Sequence, residues 1–529
     1  MSSEHDAVPQ NNTGRGVRFW LVIIACLAVE LLSALDLTSI STALPTIVHD
    51  LKGGDFILVA SASPVASTIV LPLVGGLVSV FGRRPILLCF IAAVALGSAI
   101  CGAARNLPML IAGRAIQGLG GGGCTSVTDI IIADLVPLSE RGKFQGIVAT
   151  VWALACAVGP PVGGALASSG AWRWLFFLNL PICAISALLV LLFLKVYTPK
   201  ATLQGILQMD WIGLPIIMVG TLSVILALTW GGLRFPWLSV QVLVPLILGL
   251  ITIACFFVIE ALWIKAPTVP RFLFSSRTTL SGYLGVFFHG IVSMAVIFYL
   301  PVYFQAAKMA SSVHSGIDMF GLSFTIPLFA IGSGVSTEVL GRYRPQNYIG
   351  WILTTVGFGV LSLLDEGSSA GAYIGFQILL GAGLGIVWIS TQFPILAPLP
   401  YSNNAHALAF FVFVRSFAQT WGSVIGGAIL QKKLQHTLPA HFLSTLPHHT
   451  QFTYSLVPLI SKLPEALQDE VRLGFSQSLQ VVWWVMCGIS GVGLLSCFLM
   501  DEIPLRTDMD ETWGLQGVEQ DDSSVTENN

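Results

Sequence analysis

The chain has 529 residues, of which 54% are hydrophobic and 10% are charged, and its formal net charge is -2. Apolar runs of about 20 residues, the length that a helix needs to cross a bilayer, follow one another along most of the chain. We therefore expect an all-α integral membrane protein with no room for a water-exposed catalytic domain. The small net charge argues against nucleic acid as a partner.

The apolar runs predict about fourteen membrane spans, with the N-terminus inside. The expected inner loops then carry eleven Lys and Arg residues and the outer loops five, which places both termini in the cytosol. The polar N-terminal residues resemble no cleaved signal, so the first span is expected to remain as the insertion signal. The predicted spans are 19-41, 56-80, 85-104, 108-134, 145-168, 174-196, 211-231, 239-263, 280-304, 316-338, 348-365, 371-395, 405-430 and 479-500.

Cysteine and histidine give no sign of a metal site or of a disulfide. The nine cysteines all lie in apolar runs, where they are interpreted as small hydrophobic residues. A long outer segment, 431-478, precedes the last span, and its part 464-479 is amphipathic enough to lie on the outer membrane surface. Its histidines are interpreted as solvated loop residues: His436, His441, His448 and His449.

An internal repeat divides the chain. GGLVSVFGRR (75-84) and GVSTEVLGRYR (334-344) both end a predicted span with glycine and cationic residues. Two six-helix halves facing each other across a midplane cavity are a common transporter architecture. The predicted units are a cytosolic tail (1-18), an N-terminal six-helix bundle (19-196), a linker with two inserted helices (197-264), a C-terminal six-helix bundle (265-500) and an acidic cytosolic tail (501-529).

The stretch AVGPPVGGALASSGAWRWLFFLNLP (157-181) contains the residues for a helix that bends. Pro160 and Pro161 lack amide protons, and Gly159 and Gly163 lie one turn apart and form a flat face. We expect a broken helix whose glycine face slides against the opposite half. The alternative is an ordinary Pro-kinked helix that packs closely on a neighbour.

Several motifs, in this order along the chain, resemble the major facilitator superfamily, and within it the fungal drug:proton antiporter branch with fourteen spans. The resemblance covers nearly the whole chain. It rests on a loop motif after the second span, a span-four motif and a span-five antiporter motif: Gly75, Leu77, Gly82, Arg83 and Arg84; Arg114, Gln117, Gly118 and Gly120; Gly159, Pro160, Gly163 and Gly164.

The resemblance implies a monomeric secondary transporter that needs no cofactor and is driven by a proton gradient. It also implies a cytosolic gate loop in each half, formed by Gly75, Gly82, Arg83 and Arg84 and by Glu338, Gly341 and Arg342, and conformational switching at Gly159, Pro160, Gly163 and Gly164. The usual acidic residue of the first loop is replaced by Ser79. Either Glu338 in the second half provides more of the inward closure, or another group pairs with Arg83 and Arg84.

Charged residues within predicted spans are expensive and should face the bundle interior. At about 1.5 Å per residue, Asp36 in span one and Arg114 in span four come to the same depth, near the outer side. We expect them to pair and to couple protons to transport, with Glu30 as a further candidate; a purely structural pair is the alternative. Asp129 is interpreted as an inner-vestibule residue.

Polar and aromatic residues at mid-depth are candidates for a substrate cavity. Arg415 is either a clamp between helices or a contact for an anion, and the others are either cavity residues or ordinary packing. The candidates are Gln117, Trp152, His289, Trp388, Gln392 and Arg415.

These observations predict proton-coupled efflux of a small organic compound, such as a drug, toxin or secondary metabolite. The chain lacks a GxxxxGK[ST] phosphate-binding loop, which excludes an ATP-driven pump within it. An importer or facilitator of a nutrient remains the alternative, and a membrane-embedded enzyme is disfavoured because we find no clustered catalytic groups. The expected location is the plasma membrane, with the vacuolar membrane second. The expected partners are the substrate, protons and lipid.

Overall fold

The computed structural model describes residues 16–506 except for 52–55, 197–204, 206, 208, 233, 265, 401–402, 440–455, 458–459 and 461–462. A few helical side chains, including that of Pro160, are also outside the description. Three predictions therefore fall on residues that are not described: most of the N-terminal tail, the acidic tail beyond 506, and the loop histidines His441, His448 and His449.

The first half and the inserted pair consist of helices. They are α1 (Val17–Asp50), α2 (Phe56–Phe81), α3 (Arg83–Gly102), α4 (Leu107–Leu135), α5 (Arg141–Ser168), α6 (Trp174–Phe177), α7 (Asn179–Phe193), α8 (Gly213–Trp230) and α9 (Val240–Leu262).

The second half is also helical, and the described residues contain no β-strand. A short 3₁₀ turn, Arg271–Phe274, leads into it, and a π-helical turn, Tyr303–Ala307, follows α10. The helices are α10 (Arg277–Val302), α11 (Ser312–Asp318), α12 (Phe320–Leu340), α13 (Arg344–Leu361), α14 (Ala370–Ser390), α15 (Gln392–Leu396), α16 (Asn404–Thr437) and α17 (Glu465–Ser496).

Twelve helical stretches among the described residues are long and apolar enough to cross a membrane, which confirms the all-α membrane fold. Helices α4 and α13 occupy the positions of the expected fourth and eleventh spans, but they are not among the twelve. Both carry buried polar side chains, such as Arg114 and Gln117 in α4 and Asn347 in α13, and these lower their hydropathy. The count of fourteen spans stays a prediction, as do the unit boundaries.

Helix packing joins the two halves at a few pairs of helices. Within the first half, α4 packs on α2 and α3, and α1 packs on α5 and α7. Within the second, α14 packs on α12 and α13, and α10 packs on α16 and α17. Between the halves, α5 packs along α12, and α16 packs on α2 and α4. The inserted helices α8 and α9 pack on each other, and α8 also contacts α2.

Two expectations about helices are wrong. Helix α5 continues from Arg141 to Ser168 through Pro160 and Pro161, so the expected break is absent; the fixed φ of proline is itself helical, and what it removes is a hydrogen bond. The amphipathic stretch 464-479 is not a separate surface helix, because Glu465–Ser496 forms one helix of 32 residues. Val471 and Phe475 bury the apolar side of its first turns in the second-half core.

Each of the two repeated loops turns at a glycine with a positive φ. Helix α2 ends at Phe81 and Gly82 follows with φ 84°, while α12 ends at Leu340 and Gly341 follows with φ 62°. Only glycine adopts such a left-handed conformation without strain, so each glycine reverses the chain tightly into the next helix. The loops thus share the position of this glycine, whereas its ψ differs: 167° at Gly82 and 17° at Gly341.

Candidate functional site

Asp36 and Arg114 form an ion pair inside the first half. Arg114 Nη1 lies 2.6 Å from Asp36 Oδ2, and the side chain of Arg114 is fully buried whereas that of Asp36 is 12% exposed. Helices α1 and α4, which pack against each other, carry the two residues. The pairing that was predicted from their depths is therefore present.

The rest of the Arg114 environment is uncharged. Nη1 also donates to Gln117 Oε1 at 2.8 Å, and Gln117 Nε2 donates to Ser98 Oγ at 3.0 Å, which also accepts from Asn179 Nδ2 at 3.3 Å. Nε and Nη2 of Arg114 are buried without a hydrogen-bond partner among the described residues. Gln117 thus contacts the arginine directly, and Asp36 supplies the counter-charge. The place of Gln117 in a substrate cavity stays a prediction.

Glu30 lies two turns before Asp36 on α1 and is fully buried. Its Oε2 accepts a hydrogen bond from Trp152 Nε1 at 2.8 Å, and its Oε1 has no partner among the described residues. Trp152, a candidate cavity residue, therefore holds a carboxyl group. Asp129 acts electrostatically on Glu30 and accepts from Gln145 Nε2 at 2.9 Å.

Arg415 lies between two aromatic rings on the inner face of α16. Its Cζ is 4.2 Å from the centre of the Trp388 ring and 4.3 Å from that of Phe411, and its Nη2 donates to the Trp388 carbonyl at 3.1 Å. Asp129 of the first half acts on it as an opposite charge. Arg415 therefore bridges α16 and α14 within the second half.

The two remaining cavity candidates are buried in the second half. His289 donates from Nε2 to the Leu384 carbonyl at 3.1 Å and packs edge-on against Trp388, with ring centres 5.7 Å apart. Gln392 begins the short helix α15 and is 4% exposed. His289, Trp388 and Arg415 thus form one cluster, and Trp152 lies apart from it on Glu30.

The first gate loop has an acidic partner that sequence reasoning did not assign. Arg83 Nε donates to Asp134 Oδ2 at 2.7 Å, and both side chains are buried. Arg84 Nη2 donates to the Leu191 carbonyl at 2.5 Å, and the Ser79 hydroxyl donates to the carbonyl of Gly75, one turn earlier in the same helix. Asp134 at the end of α4 therefore supplies the carboxylate that Ser79 lacks.

The second gate loop reaches across to the first half. Lys143 Nζ donates to Glu338 Oε1 at 2.7 Å, and the two side chains are 41% and 25% exposed. Arg342, in contrast, is exposed. Glu338 thus links the two halves through Lys143, a partner that the sequence did not predict, and its part in closure stays a prediction.

Glycines bring the same ends of the halves into backbone contact. A Cβ on Gly142 would lie 2.4 Å from Gly334 Cα, and a Cβ on Gly146 would lie 2.6 Å from Ile331 Cγ1. On the neighbouring pair of helices, a Cβ on Gly75 would lie 3.3 Å from His406 Cα. Close packing of glycines leaves no periodic pattern in a sequence, so the sequence did not predict the close approach of α5 to α12.

The glycine face of the 157-181 stretch contacts its own half. A Cβ on Gly159 would lie 2.1 Å from Thr38 Oγ1 of α1, and Thr38 donates to the Ala155 carbonyl at 3.1 Å. Gly163 is buried, whereas a Cβ on Gly164 would meet nothing within 4 Å. The expected contact of Gly159 with the opposite half is wrong for this conformation, because α1 fills the space beside it.

Comparison with known proteins identifies the family. The family model described as Major Facilitator Superfamily matches residues 26–426. The chain is 36% identical over 526 residues to the "Efflux pump FUS6" of Gibberella moniliformis, covering 97% of this chain and 93% of that protein. It is also 36% identical to the "Acurin A biosynthesis cluster MFS-type transporter" of Aspergillus aculeatus, over 97% of this chain and 95% of that protein.

A solved structure shares the fold. The proton:xylose symporter XylE superposes with a TM-score of 0.57 at 14% identity, covering 90% of this chain and 95% of that one. The family and these relatives are transporters and not enzymes, which confirms that reading of the sequence. The chain belongs to the major facilitator superfamily and is a multi-pass membrane transporter of small molecules.

Proposed function

We propose that this transporter is a monomeric exporter, which moves a small organic compound out of the cytosol in exchange for protons, at the plasma membrane. The relatives named above as an efflux pump and as a transporter of a biosynthesis cluster support export and a secondary metabolite as cargo. The single observation that carries proton coupling is the Asp36–Arg114 pair.

The pair has the properties that coupling requires. Arg114 is fully buried, and Asp36 is its carboxylate partner and is itself slightly exposed. If a proton neutralises Asp36, the guanidinium group loses its counter-charge in a low-dielectric environment, which costs several kcal/mol. The protein lowers this cost by changing conformation or by releasing the proton. Protonation and the alternation of access are thereby linked.

Glu30 and Asp129 extend this chemistry inward. Glu30 lies about 9 Å below Asp36 on α1, and it interacts electrostatically with Asp129, which in turn interacts with Arg415. We propose that a proton entering at Asp36 leaves through Glu30 and Asp129. The aromatic cluster of His289, Trp388, Phe411 and Arg415 adjoins this path and offers flat apolar surfaces with one cation to a substrate.

The test is Asp36→Asn, which keeps size and hydrogen bonding but cannot ionise. We expect efflux driven by an imposed pH difference to fall at least tenfold in reconstituted vesicles, with ethidium as the probe. Asp469→Asn is the matched control, because Asp469 is 65% exposed and pairs with Arg472 within one helical turn. Gradient-driven efflux by Asp36→Asn at the unmutated rate would remove this residue from the mechanism.

A further inference from the structure

The two inserted helices carry buried carboxyl groups at one shared end. Asp210 lies three residues before α8 and is 6% exposed, and Glu260 lies in the last turn of α9 and is 4% exposed. Thr268, in the segment after α9, joins them. Its backbone N–H donates to Glu260 Oε1 at 2.9 Å, and its hydroxyl donates to Asp210 Oδ2 at 3.1 Å.

The two carboxyl groups are thus buried and bonded to the same residue, Thr268. An ionised carboxylate only accepts hydrogen bonds, so the two groups can bond to each other only when one of them carries a proton. Glu260 Oε2 is buried and has no donor among the described residues. Asp210 is the charged group that acts on Glu260. Two ionised carboxylates in this position would repel each other without a compensating cation.

Of the two carboxyl groups, Asp210 is better placed to carry the negative charge. Its Oδ1 accepts from the backbone N–H of Gly213 at 2.6 Å and from that of Ile212 at 3.3 Å, at the N-terminus of α8. Backbone donors and the helix dipole at this end stabilise an anion. The proton is therefore on Glu260, which lies in the last turn of α9, where the helix dipole disfavours an anion. A metal ion is not indicated, because the described residues contain no group of three or more possible ligands.

We propose that Glu260 and Asp210 form a second proton-binding site, which holds one proton between the two carboxyl groups at the end of the inserted helices that is predicted to face the cytosol. This site is separate from Asp36, which lies near the opposite side of the membrane. It does not depend on the direction of transport.

The site is connected to the contact between the halves. Thr268 and His406 line one small pocket, and His406 lies in the first turn of α16, where its Cα approaches Gly75 of α2. Among the residues that the structure describes, His406 and Asp210 are the titratable groups that act on Thr268 and Glu260 from neighbouring elements. Loss of the shared proton separates Glu260 from Asp210 and frees Thr268. Thr268 then no longer holds His406 in place, and the contact between α2 and α16 becomes less stable. We therefore expect this contact to open more easily when the cytosolic pH is high.

Infrared difference spectra of the purified full chain at stepped pH test the proposal. The unmutated chain is expected to show the carbonyl band of a protonated carboxyl group, which disappears as the pH rises. Glu260→Gln should lack that component, because its amide donates to Asp210 permanently. Asp36→Asn should retain it, which separates this site from the proposed coupling residue. Identical spectra for Glu260→Gln and the unmutated chain would overturn the proposal.

A second measurement applies if the variant does not fold. In Glu30→Gln grown with isotope-labelled glutamate, the pH-sensitive band is expected to remain and to shift with the label, because its proton is on Glu260 and not on the other buried glutamate. A band that is absent, or that does not shift with the label, would contradict the assignment. The thermal stability of the unmutated chain should also fall as this band disappears. Stability that is independent of pH over that range would equally contradict it.

Discussion

At the scale of single residues, two buried ion pairs lie at different predicted depths in the membrane. Arg114 faces Asp36 near the outer side, and Arg83 faces Asp134 at the predicted cytosolic side. Asp36 is partly exposed, whereas both side chains of the Arg83–Asp134 pair are 6% exposed or less. We therefore assign proton exchange to the first pair and a structural role in the gate to the second.

Asp134→Asn tests that division. The change leaves the buried Arg83 guanidinium without its carboxylate, and breaking a buried ion pair costs about 3 to 5 kcal/mol. We expect a lower thermal stability and less folded protein in the membrane. The exposed Asp469–Arg472 pair provides the control, since Asp469→Asn should lower the free energy of unfolding by about 1 kcal/mol or less. A melting temperature for Asp134→Asn equal to that of Asp469→Asn would show that Arg83 does not depend on Asp134.

At the scale of helices, α5 makes two different contacts. Its predicted cytosolic end meets α12 through Gly142 and Gly334, whereas its outer end meets α1 of the same half through Gly159. The predicted cytosolic ends of the halves are thus in backbone contact, reinforced by Lys143 and Glu338. Helix α5 therefore joins the two halves at its predicted cytosolic end and stays within its own half at the other end.

Substituting Gly142 should disturb this contact between the halves. A methyl group there would lie 2.4 Å from Gly334 Cα, so α5 and α12 must move apart in Gly142→Ala. We expect several-fold faster hydrogen exchange in residues 139-146 and 331-341, together with slower transport. Gly332→Ala is the matched control on α12, because its new methyl group would meet nothing within 4 Å. Equal exchange in the two variants would mean that this contact does not close the gate.

At the scale of the whole molecule, the short segment after the last span ties the halves together. The Tyr343 hydroxyl donates to the Asp501 carbonyl at 2.7 Å and accepts from the Ile503 N–H at 3.2 Å. Three residues later, the Arg506 carbonyl accepts from the Ser139 N–H at 3.4 Å, between α4 and α5. The chain thus passes from a second-half loop to a first-half loop on the predicted cytosolic face.

The fold and part of the site follow from the sequence for identifiable reasons. Runs of apolar residues determine the helices, and the depths of Asp36 and Arg114 determine their pairing. The partner of Arg83 could not be derived, because Asp134 is 51 residues away and helix rotation decides which carboxylate it meets. The Gly142–Gly334 contact was missed because glycine packing leaves no periodic pattern. The unbroken α5 shows that paired prolines do not by themselves interrupt a helix.

Proton movement measured together with substrate movement tests the central claim most directly. Vesicles that contain the purified chain, a pH-sensitive dye and ethidium report both fluxes at once. The account predicts that ethidium and protons move in opposite directions, and that an imposed pH difference drives ethidium against its own gradient. Movement of ethidium and protons in the same direction, or ethidium transport that does not respond to the pH difference, would contradict it.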